Sequence, residues 1–242
     1  MRNTMDVEVV ALAKEAEEAL RGRSDLQRRE VTSGYFPTRL EILGVPVPEM
    51  RRVVREIHRQ LRSAHPRRVV DLVRLLHAGG THEGRQAGYE LLERREDARS
   101  LLGVRALRAL GKGNDNWASV DAFCVCVSGP SWREGQVTDE EIFRWARSPD
   151  RWWRRAALVS TVPLNLKSRG GYGDPERTLA LCAALAGDKD PMVAKGLSWA
   201  LRSALPHDRE AVRTFLEDRW ETLPSLVRRE VRNKLETGRK NQ

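Results

Sequence analysis

One short segment combines an aromatic ring with a carboxylate at a spacing that could serve a cationic substrate. Trp117 and Asp121 are four residues apart, so a helix would carry both side chains on one face and turn Val120 toward the core. The face of an indole ring and a carboxylate both attract a developing positive charge. The alternative interpretation is a core tryptophan beside a solvated or capping aspartate, which is the more common situation for these residue types.

A second segment places arginines next to two tryptophans. Arg154 and Arg155 follow Trp152 and Trp153 at a predicted helix start, and a helix N-terminus with arginines is a natural site for phosphate groups. Helical spacing predicts that Trp152 faces inward and that Arg155 lies at the rim of a concave surface. The alternative is a solvated charged face without a ligand.

Two further segments contain aromatic residues of interest. Trp199 lies four residues after Lys195, among small residues that would allow close helix packing. A single tryptophan in such a setting is more often a core residue than a site residue. Tyr35 precedes a segment with a glycine and two prolines between residues 44 and 48, a pattern that predicts a fixed turn leading into a helix. Structure alone would explain that turn.

The elements that would position these residues are predicted to be helices. Strand patterns are nearly absent, and apolar residues recur at helical spacing along most of the chain. The fold class is therefore predicted to be all-α. The pattern predicts, among others, single helices over residues 98–110 and 116–127, and a mobile glycine-rich connection over residues 163–174.

The predicted helices also repeat along the chain. Asp115, Asp150 and Asp190 each stand at a predicted N-cap, 35 and then 40 residues apart, and Arg155 and Lys195 each follow the last two by five residues. A repeat near 40 residues made of helix pairs is typical of HEAT or armadillo-like proteins, which stack into a curved solenoid. We predict a single domain over residues 1–242 with a basic concave face.

The charge balance favours a polyanionic partner. The chain has 43 lysines and arginines against 34 aspartates and glutamates, a net charge of +9. An arginine-rich composition can equally reflect a GC-rich genome. No apolar run approaches the roughly 18 residues of a membrane span, and charged residues interrupt the first twenty positions. We therefore expect a cytoplasmic protein without a membrane partner.

The residue types that usually hold metals are not suitably spaced for this role. Cys124, Cys126 and Cys182 cannot form a disulfide framework, and the five histidines show no metal-ligand spacing. Neither a P-loop nor a dinucleotide-binding pattern is present. We expect the cysteines to be small core residues, and we expect no metal and no cofactor.

Taken together, four segments resemble the bacterial DNA alkylation repair family of AlkD type. They are Leu43-Gly44-Val45-x-x-Pro48-x-x-Arg51, Trp117-Ala118-Ser119-Val120-Asp121, Trp152-x-x-Arg155-Ala156-Ala157 and Gly196-Leu197-Ser198-Trp199-x-Leu201-Arg202. They occur in the family's order and at similar separations, and the resemblance extends over residues 35–202. It implies a HEAT-like-repeat glycosylase that releases alkylated purine bases from double-stranded DNA.

The resemblance also implies roles for individual residues. Asp121 would be the catalytic carboxylate, and Trp117 and Trp199 would line the site facing the damaged nucleotide. Tyr35 falls where the family has an N-terminal site tyrosine. Pro46 departs from the family, because a relative has a polar, DNA-contacting side chain at this place. This contact is therefore not carried over, and lesion preference would depend on this region.

The resemblance further implies that Arg155 contacts the DNA backbone. Arg154 and Lys195 are added as DNA-binding residues, Arg154 from the arginine-rich helix start and Lys195 from its repeat position. The implied enzyme is a monomeric, monofunctional glycosylase that leaves the base stacked, whereas most glycosylases flip the base.

Two alternatives from other classes stay open. The first is a non-catalytic HEAT-repeat protein that binds damaged or branched DNA. The second is a HEAT scaffold for proteins, for which repeat architecture alone would suffice. Within the enzyme interpretation, general repair of methylated purines and self-resistance to one bulky DNA-alkylating natural product are both open.

Overall fold

The structure, a computed structural model, describes residues 6–241 of the chain. Within these residues the regular elements are helices, and no strand forms; Glu41 and Thr81 make one isolated parallel bridge. The predicted all-α fold class is confirmed. No helix in the described part of the chain combines the length and apolar character needed to cross a membrane.

The chain forms two compact units, of which the first ends at Val127 and the second begins at Ser128. The helices of the first unit are α1 (Val7–Arg21), α2 (Leu26–Tyr35), α3 (Val47–Gln60), α4 (Pro66–Ala78), α5 (His82–Arg94), α6 (Glu96–Arg99), α7 (Val104–Gly111) and α8 (Trp117–Phe123). A π-helical turn over Cys124–Ser128 follows α8. The prediction of one domain over the whole chain stays a prediction.

Most helices of the second unit form successive pairs. They are α9 (Gly129–Arg133), α10 (Asp139–Ala146), α11 (Arg151–Val159), α12 (Val162–Asn165), α13 (Pro175–Ala184), α14 (Pro191–Ala204), α15 (Arg209–Asp218) and α16 (Ser225–Thr237). Helix α10 packs on α11, α13 on α14 and α15 on α16, while α14 also contacts both α11 and α16. This layering of helix pairs agrees with the predicted helical repeat.

In the first unit, α5 is the central helix. It packs against α3, α4 and α8, and its start is fixed by Thr81, whose side chain accepts the Gly84 N–H. Gly88 allows α4 to come close, because a Cβ at this position would lie 3.2 Å from the side chain of Val73. Since α8 rests on α5, the position of α5 determines where the predicted site residues of α8 lie.

Two of the three predicted aspartate caps are confirmed. Asp150 accepts the Trp152 N–H at 2.9 Å, and Asp190 accepts the Met192 N–H at 2.8 Å. The prediction for Asp115 is wrong, because the following residue caps α8 instead. The side chain of Asp115 does not cap α8 and instead contacts another part of the chain.

Several predicted element boundaries also differ from the structure. The single helix expected over residues 98–110 is two helices, α6 and α7, because Gly103 is extended at the N-cap of α7. The helix expected over residues 116–127 changes to π-helical geometry at Cys124. The expected connection over residues 163–174 contains most of α12 and a 3-10 turn, Lys167–Arg169, and Gly173 N–H donates to the Leu164 carbonyl at 3.0 Å. Helices α1 and α2 were not predicted.

Candidate active site

Helix α8 presents the predicted catalytic pair. Asn116 is extended, and its side-chain oxygen accepts the Ser119 N–H at 2.9 Å, so the helix begins at Trp117. Trp117 and Asp121 are both partly exposed, whereas Val120 is buried at 2% exposure. The predicted orientation of α8 is confirmed: Val120 faces the core, and the ring and the carboxylate are partly exposed one turn apart.

The structure brings Tyr35 to Trp117, although 82 positions separate them in sequence. Their ring centroids are 5.5 Å apart with an interplanar angle of 85°. Phe36 also meets Trp117 in a T-shaped arrangement, at 5.9 Å and 82°. Tyr35 is 71% exposed, whereas Phe36 is buried at 5%. The three rings form an aromatic cluster whose outer members are Tyr35 and Trp117.

A buried histidine supports this aromatic cluster from α5. The ring of His82 lies 5.3 Å from that of Phe36, and its Nδ1 lies 3.1 Å from Ser119 Oγ. Burial lowers the pKa of His82 and the charge of Arg85 lowers it further, while the charges of Glu83 and Asp115 oppose this shift without reversing it. Ser119 Oγ also accepts from Asn116 Nδ2 at 3.1 Å, so this hydroxyl joins the start of α8 to His82 on α5.

Asp115 connects the start of α8 to the segment that follows α2. Its Oδ1 accepts from Thr38 Oγ1 at 2.5 Å, and its Oδ2 accepts the Arg39 N–H at 2.7 Å. Burial acts to raise the pKa of Asp115, but the hydrogen bonds from Thr38, Arg39 and Asn116 outweigh it and lower this pKa. Asp115 is therefore an ionised, hydrogen-bonded carboxylate beside the aromatic cluster.

The turn before α3 is held by a buried carboxylate. Glu83, which is 4% exposed, accepts the N–H groups of Leu43 at 3.0 Å, Gly44 at 2.8 Å and Val45 at 3.2 Å. Gly44 has a positive φ of 78°, and Pro46 stands at the N-cap of α3. The predicted fixed turn is confirmed. In the first of the four motif segments, the backbone N–H groups therefore bind the Glu83 carboxylate of α5.

The second unit contains the other four predicted site residues. Arg155 on α11 is 5% exposed, and its Nη1 donates to the Met192 carbonyl at 2.5 Å. Its predicted rim position is wrong, because the close approach of α14 at Gly196 covers it; a Cβ at Gly196 would lie 3.4 Å from Arg155 Cγ. Trp152, predicted to face inward, is partly exposed and stacks under Arg151 at 4.9 Å.

Arg154, Lys195 and Trp199 differ in solvent exposure. Arg154 donates from Nε to Asp188 at 2.6 Å and from Nη1 to the Pro149 carbonyl at 2.9 Å, so it connects two loops. Lys195 is exposed and Trp199 is partly exposed, both on α14. Between them, Gly196 and buried neighbours fix α14 against α11.

Sequence reasoning missed several residues around the aromatic cluster. Phe36 is adjacent to Tyr35 in the sequence, and that adjacency was the available signal. His82 and Thr38 gave no local signal, since their partners are distant in the sequence. The three cysteines are buried, as predicted. Within residues 6–241, no group of three or more histidine, cysteine or acidic side chains could hold a metal ion.

The chain is similar to known proteins of one family. The profile of the family described as "DNA alkylation repair enzyme" matches residues 16–235. A solved structure described as "Predicted DNA alkylation repair enzyme from Enterococcus faecalis" is similar with a TM-score of 0.71 at 15% identity, covering 89% of this chain and 98% of that chain.

At this identity, the structural similarity supports the helical fold alone. No protein of curated function matches the sequence. The family profile, however, spans most of the chain and includes all four motif segments. The chain therefore belongs to the DNA alkylation repair enzyme family.

Proposed function

We propose that this protein is a monofunctional DNA glycosylase that hydrolyses the N-glycosidic bond of N3- or N7-alkylated purines in duplex DNA. The observation that carries the proposal is the outward face of α8, where Trp117 and Asp121 are both partly exposed and one helical turn apart. Membership of a DNA alkylation repair enzyme family supports the choice of an alkylated base as substrate.

The chemistry needs few residues, because the substrate is already activated. Alkylation at N3 or N7 gives the purine a positive charge, so the base can leave without first being protonated. The C1′–N bond breaks, its electron pair departs with the purine, and the sugar becomes cationic. The oxygen of a water molecule then forms a bond to C1′ and loses its proton, which leaves an abasic site.

In this proposal Asp121 stabilises the cationic sugar and orients the attacking water. Its negative charge favours the oxocarbenium-like transition state more than the neutral sugar of the ground state. The π face of Trp117 adds a second attraction for the same charge. Because Tyr35 and Phe36 contact the Trp117 ring, they restrict the directions in which that ring can turn.

The remaining assignments rest on the family resemblance together with position. Lys195 and Tyr35 are exposed and fit contacts to the DNA. Trp199 is proposed as a further residue of the site, and Arg155 as a contact to the DNA backbone, which requires its buried guanidinium to turn away from the Met192 carbonyl. Arg154 keeps its proposed DNA-binding role, with its Nε and Nη1 already engaged within the protein. No lysine is assigned as a Schiff-base nucleophile, so lyase activity is not proposed.

The test is release of free base from duplex DNA that carries a single N7-methylguanine, comparing the wild type with Asp121→Asn. We expect excision by the wild type and a loss of about 10²–10³-fold in rate for the variant, since the amide lacks the charge that stabilises the sugar cation. Duplex binding should be retained. Asp218→Asn changes an exposed carboxylate at the end of α15 and should leave the rate unchanged.

The outcomes separate the alternatives. An unchanged excision rate for Asp121→Asn would remove this carboxylate from the mechanism. If the wild type binds duplex DNA but releases neither N7-methylguanine nor a bulky N3- or N7-purine adduct, the proposed glycosylase is wrong and a non-catalytic DNA-binding protein is the better interpretation. Release of the bulky adduct alone would instead favour self-resistance over general repair.

A further inference from the structure

We propose that Asp115 is a positioning residue for the candidate active site. Its carboxylate holds residues 38–39 against the start of α8 and so keeps Tyr35 and Phe36 in contact with Trp117. The catalytic consequence of this arrangement rests on the proposed function, whereas the contact between the rings can be tested without it.

The hydrogen bonds of Asp115 use both carboxylate oxygens. Oδ1 accepts from the Thr38 hydroxyl at 2.5 Å, and Oδ2 accepts the Arg39 backbone N–H at 2.7 Å. The Thr38 oxygen in turn accepts the Leu40 N–H at 3.1 Å and a hydrogen from Asn116 Nδ2 at 3.3 Å. Asp115 and Asn116, at the start of α8, therefore bind Thr38 and Arg39 of the segment after α2, and Thr38 also binds Leu40 within that segment.

Other contacts fix the chain mainly beyond the two ends of this segment: the Glu41 N–H donates to the Gly80 carbonyl at 3.1 Å, and Gly44 lies against the backbone of Asp25 and Arg29. None of the ten residues of α2, all of them described, is buried, so the helix that carries Tyr35 is not anchored in the core. Residues 36–40 form neither helix nor strand. The buried ring of Phe36 anchors one end of the segment, between Trp117 and His82, and the Asp115 contacts anchor the other.

An ionised carboxylate suits this role better than an amide. The groups that face it are all donors, namely the Thr38 hydroxyl, the Arg39 backbone N–H and Asn116 Nδ2 at 3.4 Å, and a carboxylate can accept from all three. An asparagine would place its NH₂ group against one of these donors. The hydrogen bonds also keep the pKa of Asp115 low, so the group remains an acceptor at neutral pH.

The first readout is the ¹⁹F spectrum of protein labelled with 5-fluorotryptophan. The chain has seven tryptophans, and the Trp117 signal is assigned from its loss in Trp117→Phe. Asp115→Asn should shift or broaden this signal, because the neighbouring rings of Tyr35 and Phe36 would move. Thr38→Val removes one donor and should give a smaller change in the same direction, which provides a second variant if Asp115→Asn folds poorly.

The matched control is Asp25→Asn. Asp25 caps α2 by accepting the Arg28 N–H, and asparagine is an equally good cap. This control should leave the Trp117 signal unchanged. If the Trp117 signal is the same in the wild type, Asp115→Asn and Thr38→Val, the positioning role is wrong, whatever the enzyme activity of the protein.

The second readout is the single-turnover rate of N7-methylguanine release at saturating enzyme. We expect Asp115→Asn to lower this rate about tenfold, since small misplacements of catalytic groups are costly, with duplex affinity retained and unfolding still cooperative. A shifted Trp117 signal with an unchanged rate would overturn the catalytic part of the inference. Absence of release by the wild type would instead be a failure of the proposed function, and the ¹⁹F result would still decide the positioning.

Discussion

Gly44 shows how one residue controls the turn that leads into α3. Its φ of 78° lies in the left-handed region, and a Cβ would lie 2.5 Å from the Asp25 carbonyl and 2.6 Å from the Arg29 nitrogen. Both atoms belong to the backbone, so they cannot move aside as a flexible side chain would. The turn also donates three N–H groups to Glu83, so a distortion of its backbone would disturb the hydrogen bonds of a buried carboxylate.

We therefore expect Gly44→Ala to lower the free energy of unfolding by about 2–4 kcal/mol, the sum of backbone strain and a close contact. Urea unfolding measures the change. Gly34→Ala is the control, because Gly34 lies in α2 with no atom within 4 Å of an added Cβ. Alanine there should be neutral or stabilise by up to about 1 kcal/mol. Equal effects of the two substitutions would contradict this account of Gly44.

The sequence predicted correctly which side chains of α8 share a face, but it predicted the exposure of Arg155 on α11 wrongly. The four-residue spacing of Trp117 and Asp121 lies within one helix, so helical geometry alone relates the two side chains. The exposure of Arg155 depends instead on α14, which begins more than thirty residues later in the sequence. Gly196 lets α14 approach closely and bury the arginine. No pattern around Arg155 contains this information.

At the scale of elements, aspartate caps determine where four helices of the second unit begin, namely α11, α13, α14 and α15. Asp190 accepts the N–H groups of both Met192 and Val193, at 2.8 and 3.3 Å. Proline follows at the first position of α14, where a missing N–H has no cost. The start of α14 in turn supplies the Met192 carbonyl that Arg155 binds. The Asp190 cap, which can be recognised from the local sequence, thus positions one partner of a tertiary hydrogen bond.

Asp190→Ala should lower the free energy of unfolding by about 1 kcal/mol, the usual value of an N-cap. Chemical denaturation followed by circular dichroism measures this loss. Asp218→Ala is the comparison, because Asp218 is exposed at the last position of α15, where a negative charge gains nothing from the helix dipole. A loss at Asp218 as large as that at Asp190 would show that capping is not the cause.

At the scale of the whole molecule, buried and partly buried histidines make the stability depend on pH. Burial and the charge of Arg85 lower the pKa of His77 from its ordinary value to about 4, and burial also lowers the pKa of His58 and His82. As the pH falls below 6.5, the unfolded chain binds protons that the folded protein does not. The stability is therefore full above that pH and decreases as the pH falls toward 4.

For His77 alone we expect a loss of about 1–2 kcal/mol in the free energy of unfolding between pH 7.5 and pH 5, allowing for partial solvent access. In His77→Gln the difference between the two pH values should be smaller by this amount. His65→Gln, which changes an exposed histidine at the start of α4, should keep the full difference. The same pH dependence in all three proteins would show that His77 does not titrate as proposed.

By itself, the sequence determined the properties that depend on neighbours within about one helical turn. The all-α class, the caps at Asp150 and Asp190, the common face of Trp117 and Asp121, and the turn at Gly44 all follow from local spacing and backbone preference. The ordered motif segments also indicated the family, which the profile match then confirmed.

Only the tertiary structure decided which distant residues meet. Tyr35 and Phe36 lie against Trp117, Asp115 binds Thr38 and Arg39 instead of capping α8, and Arg155 is covered by α14. The physical reason is that helical periodicity gives the face of a side chain but not the neighbour on that face. That neighbour depends on how the helices pack, and hence on contacts between parts of the chain that are far apart in sequence.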